Sequence, residues 1–172
     1  MARVSIAFIA IVLLLGCASK KEKDLMQTYS EEINYYKKLQ KTEKTQLYHE
    51  NVTKAMLTAT YLYAPSFEKS DARDEVFIVG IHLEDEDSQH INTEGYVLTL
   101  NGERAKGIKA LSLDDKRLKE IPFITEWGSY YLVTFPHVSS KKLTLVFESQ
   151  LYGKGLLHFA KVAKYVLTKE AF

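Results

Sequence analysis

The apolar residues of this chain change period near Lys54, and that switch limits the fold more than any other feature. Upstream, Met26, Tyr29, Ile33 and Tyr36 recur at spacings of 3, 4 and 3, which places them on one stripe of a helix. No Gly or Pro interrupts the stretch from Ser19 to Asn51, and Glu31-Glu32 precede Lys37-Lys38 in a favourable helical charge order. The spacing predicts a helix from about Lys23 to Leu39 and a further turn or helix from about Thr45 to Asn51. The narrow stripe, with Tyr29 and Tyr36 on it, is expected to pack on its own domain or to pair with a partner helix. Downstream, Ala55, Leu57, Ala59, Tyr61 and Tyr63 alternate with their neighbours until Pro65, a period of 2 that belongs to a strand.

Further alternating runs follow. Phe77, Val79, Ile81 and Leu83 share one face, as do Tyr96, Leu98 and Leu100. Asn101-Gly102 then forms a strong two-residue hairpin signal. The return strand is expected from about Glu103 to Leu113, with a bulge at Gly107 where the apolar phase shifts. Tyr131-Val133-Phe135, Leu143-Leu145-Phe147 and Leu156 to Val162 supply three more strands, the last after a turn at Gly153-Lys154-Gly155. Pro65, Pro122 and Pro136 fall at strand ends or loops, where a missing N–H costs least. About seven short strands after one helix predict a mainly β protein, an antiparallel immunoglobulin-like β-sandwich.

The N-terminus reads MARVSIAFIAIVLLLGC: one basic residue, an apolar run from Ile6 to Leu15, then Gly16 and Cys17. A run of about ten residues is short of the roughly 20 that span a bilayer, and has the layout of a secretory signal peptide. Cys17 is the only cysteine in the chain. Leu14-Leu15-Gly16-Cys17 resembles the lipobox of bacterial lipoproteins, a likeness confined to the first 17 residues. The resemblance implies cleavage before Cys17 and acylation of its thiol, and two or more acyl chains anchor a protein stably in a membrane. Ala18, in place of an aspartate, implies the outer membrane, with the protein facing the periplasm. The expected organisation is a signal peptide over 1–16, a lipidated tether over 17–22, a helical segment over 23–51 and the sandwich over 52–172.

Composition excludes two classes. Apolar residues make up 46% of the 172, too many for a disordered chain. The formal charge of +1 belongs to the leader's Arg3, so the remainder is balanced and carries no basic signature of a nucleic-acid binder. Chemistry-bearing motifs are also missing. The acidic run Glu84 to His90 alternates Asp85, Asp87 and Gln89 but has no glycine at the calcium loop's sharp turn. His49, His82, His90, His137 and His158 show no metal-ligand spacing, so no metal or other cofactor is expected. Ser66-Phe67-Glu68-Lys69 matches a nucleophile motif by letters only. The C-terminal Phe172, a feature of many outer-membrane barrels, reads here as coincidence because seven strands are too few for one.

Aromatic density is the remaining signal. Aromatic residues form 12% of the chain, and Phe123, Trp127, Tyr130 and Tyr131 gather around Gly128. Tyr and Trp suit interfaces because they give rigid area with a polar tip. A binding patch at these four, and a second on Tyr29 and Tyr36, is set against simple core packing. The leading expectation is a non-catalytic envelope lipoprotein, held to lipid through Cys17, that binds an envelope protein as an assembly component. The alternatives are a lipid or peptide carrier, which requires an apolar pocket of about 300 Å³ or more, and an enzyme, which requires convergent polar groups in a cleft.

Overall fold

The computed structural model describes residues 20–65, 71–84 and 95–161. The leader, Cys17, Ser66 to Lys69, Asp85 to His90 and Phe172 lie outside the described residues. The chain divides into two compact units, Met1–Asn34 and Tyr35–Phe172. Helix α1 spans Lys20–Leu39, with Glu22 in its first turn and Lys37 and Lys38 in its last, each sign facing the favourable end of the helix dipole. Gln27 donates to Glu31 one turn on (3.0 Å). Thr42 ends the helix by donating its hydroxyl to the Lys38 carbonyl (2.7 Å), which satisfies one of the orphaned acceptors of the last turn.

The second unit is built from two antiparallel sheets. The strands are β1 (Thr42–His49), β2 (Val52–Tyr61), β3 (Glu75–Leu83), β4 (Tyr96–Leu100), β5 (Glu103–Arg104), β6 (Gly107–Leu111), β7 (Ser129–Phe135), β8 (Lys142–Ser149) and β9 (Gly153–Ala160). The first sheet has the order β1-β2-β3-β7-β6 and the second β5-β4-β8-β9. Alternate residues from both sheets meet in one core: Leu57, Ala59, Phe77, Val79, Val133 and Phe135 from the first, Leu100, Leu143, Leu145, Phe147 and Leu157 from the second. Each large apolar side chain buried there contributes about 1.5–3 kcal/mol, so the period-2 face dominates the fold.

Three expectations are corrected. The helical segment over 23–51 ends at Leu39, and Thr42–His49 is strand β1 instead of a second helix. Thr42, Thr45 and Leu47 favour extended backbone, and Glu50 and Asn51 both take positive φ (48° and 66°), closing a tight hairpin onto β2. The strands number nine among the described residues, not about seven. The single return strand from Glu103 is two strands in different sheets, β5 and β6, and the chain crosses over at Ala105-Lys106. The phase shift near Gly107 marks that crossing and not a bulge. Asn101 (φ 48°) and Gly102 (φ 91°) form the expected turn, and Asn101 also accepts from the Thr144 N–H (2.7 Å).

A second apolar cluster decides where a site can lie. Ile78, Leu111, Leu118, Ile121 and Tyr130 are buried together on the opposite face of the first sheet from the main core. Leu118 and Ile121 come from the connection between β6 and β7, which contains a short 3-10 turn at Lys116–Leu118 capped by Asp115 and covers the other three. Covering only part of that face leaves a groove beside the connection.

Candidate functional site

Tyr130 builds the groove. Its ring lies against β3 at Gly80, where an added Cβ would sit 2.8 Å from Tyr130 Cε1. Its hydroxyl accepts from the Thr125 N–H (2.6 Å) and donates to the Thr125 carbonyl (3.1 Å). One buried phenol therefore ties the connection to the sheet at both backbone groups of a single residue. A glycine in mid-strand is the usual mark of such a close approach.

The connection then turns through Pro122-Phe123. Phe123 takes φ 64°, the left-handed value that turns led by proline ordinarily give to glycine. Such backbone costs of the order of 1–3 kcal/mol, and the ring it presents remains 44% exposed. The Lys44 ammonium of β1 lies 3.2 Å from the centroid of that ring, a cation–π contact. Trp127, further along, is 71% exposed, and His82 Nδ1 donates to its carbonyl (3.3 Å). Together with Met56 and Thr58 of β2, these residues enclose a groove of about 370 Å³.

The sequence-predicted patch is thus partly assembled. Phe123, Trp127 and Tyr130 line the groove, Tyr130 as a buried anchor and the other two as exposed rim. Tyr131 does not belong to it: the residue after Tyr130 in a strand faces the opposite way, and Tyr131 lies in the main core. On α1, Tyr29 and Tyr36 are both exposed. Each belongs to a different unit, and neither lines the groove. Sequence reasoning missed Lys44, Thr58 and His82, which reach the groove only through strand pairing. Gly80, inside an otherwise branched apolar run, was the one available signal.

A second cavity, of about 520 Å³, is floored by Tyr61, Tyr63, Leu143 and Phe159 and rimmed by Lys37, Lys41, Lys142 and Lys161. Two of its cations already serve the fold. Lys41 donates to the Tyr63 carbonyl, and burial, then the neighbouring Lys37, lowers its pKa. Lys161 pairs with Glu75 (2.5 Å), which also accepts from the Tyr61 hydroxyl and the Val138 N–H (3.0 Å). Burial, followed by the bond to Glu75, pushes the Tyr61 phenol well above the ordinary tyrosine range.

Among the described residues no group of three or more His, Cys, Asp or Glu side chains converges to hold a metal. His137 contacts the Arg73 carbonyl (3.0 Å), His158 the Thr144 hydroxyl (3.4 Å) and His49 the ring of Tyr152. No helix among the described residues is long and apolar enough to cross a membrane. No protein-family model matches the chain, and no curated protein or solved structure is detectably similar to it.

Proposed function

We propose that this protein is an envelope lipoprotein, anchored through an acylated Cys17 on the periplasmic side of the outer membrane, whose β-rich domain binds a partner protein without catalysis. The observation that carries the binding role is the groove on the first sheet. It combines a largely exposed tryptophan with a half-exposed phenylalanine held at an unfavourable φ. Exposed aromatic area serves recognition, and strain is retained where surrounding structure over-determines it, commonly at ligand clamps. Lys44 is the cationic residue of the groove, His82 adds an imidazole, and no carboxylate lines it among the described residues. The leader, Gly16 and the lone Cys17 support the address.

The same reading takes the two sheets as an immunoglobulin-like sandwich. The orders β2-β3-β7-β6 and β5-β4-β8-β9 parallel the A-B-E-D and C′-C-F-G arrangement of that architecture, with β1 added at one edge. A carrier of lipid or peptide is the second reading, favoured by cavities of about 370 and 520 Å³, both within the range of small-ligand sites.

Expression of the full chain in its host, with a photo-cross-linking residue at position 127, tests the proposal. Detergent phase partitioning is expected to place the parent in the detergent phase and the Cys17→Ser variant in the aqueous phase with its leader retained. Irradiation of intact envelopes is expected to give a discrete protein adduct. Equal partitioning of the two chains refutes the anchor; a lipid adduct alone replaces partner binding with carriage, and no adduct refutes the groove as a binding surface.

A further inference from the structure

Resting on the reading of the groove as a partner-binding surface, we propose that its occupant is a polypeptide segment in which an apolar side chain stands next to a carboxylate. Charge is the first argument. Lys44, exposed on β1, brings an ammonium to 3.2 Å from the Phe123 ring centroid at the groove rim. Among the described residues, none that lines the groove is aspartate or glutamate. An anion entering there gains attraction from Lys44 and meets no like charge on the walls. The chemistry of the lining is the second argument. The Phe123 and Trp127 rings and Met56 offer apolar contact, while Thr58, Thr125 and His82 place polar groups along the same groove. That mixture suits a ligand with amides and one apolar side chain, and not a plain hydrocarbon tail. Size agrees, since about 370 Å³ is at the lower end for a bound ligand and suits one or two residues of a chain.

Trp127 is the only tryptophan in the sequence and lines the groove, so its fluorescence reports occupancy directly. The test uses the full chain in phosphatidylcholine nanodiscs, titrated with two blocked hexapeptides that differ only in whether a central leucine is followed by aspartate or asparagine. Decanoate serves as an anionic hydrocarbon control. The aspartate peptide is expected to give a saturable change and to bind about fivefold more tightly than the asparagine peptide, the scale of an exposed ion pair. Lys44→Met is expected to reduce that preference to within about twofold, and Lys44→Arg to keep it. Equal affinity for the two peptides in the parent, an unchanged preference in Lys44→Met, no response to either peptide, or saturation by decanoate alone overturns the proposal. Equal affinity for the two peptides overturns the carboxylate requirement while leaving the groove a binding surface, whereas no cross-linked adduct at position 127 overturns the groove itself, so the two failures are distinguishable.

Discussion

Replacing Gly80 by alanine tests the packing on which the groove depends. The new methyl would lie 2.8 Å from Cε1 and 3.1 Å from Cδ1 of Tyr130, against about 3.5–4.0 Å for relaxed carbon contacts. The ring would have to retreat by several tenths of an ångström or more. Its far end is held by two hydrogen bonds to Thr125 and confined by Gly128, where a Cβ would come within 2.6 Å of the hydroxyl. Overpacking at such a site costs roughly 1–3 kcal/mol. Removing a glycine offsets part of that through the unfolded chain, by about 0.4–1 kcal/mol. The expected net loss is about 1–2 kcal/mol, read as a lower urea midpoint with an unchanged slope. In a Tyr130→Leu background the clash disappears, and Gly80→Ala is expected to be neutral or slightly stabilising, a coupling of roughly 1–2 kcal/mol. If Gly80→Ala has the same effect in both backgrounds, the ring does not depend on that glycine, and the account of the groove's construction fails.

Lys161→Met removes the cation from Glu75, whose side chain is only 2% exposed, and is expected to lower unfolding free energy by about 3–5 kcal/mol, with a Glu75→Leu/Lys161→Met pair recovering most of it. Thermal and urea unfolding of the parent and the two variants check this; a Lys161→Met chain as stable as the parent refutes it. The raised pKa of Tyr61 gives an alkaline dependence. Because the fold favours the neutral phenol, this contribution is complete below about pH 10, where an unfolded tyrosine ionises. It is then lost as pH rises further. Absorbance titration should show one phenol ionising only with unfolding, and Tyr61→Phe should flatten the decline in stability above that pH.

The correction at β1 shows how local signals mislead. Thr42 to His49 holds one fully buried apolar residue, Leu47, so its alternation is faint, and it follows a helix-compatible run without Gly or Pro. Its strand state comes from pairing with β2, for instance Thr42 with Thr60, whose hydroxyls lie 2.8 Å apart. Likewise nothing in Glu103 to Leu111 shows that two consecutive strands join different sheets: β5 pairs locally with β4 across the Asn101-Gly102 turn, but β6 pairs with the more distant β7.

The sequence by itself determined the helix before the sheet, the inward faces of the main strands and the turn at Asn101-Gly102. Each of these follows from the chemistry of residues a few positions apart, through periodicity or permitted φ. Only the tertiary structure decided which strands became neighbours, that Tyr130 is an anchor while Tyr131 is core, and that Lys44, Phe123 and Trp127 share one groove. Lys44 and Phe123 are separated by 79 positions in sequence yet meet at 3.2 Å. Such contacts arise because burying two sheets and an overlying connection lowers free energy collectively, and no local pattern records which distant residues that burial brings together.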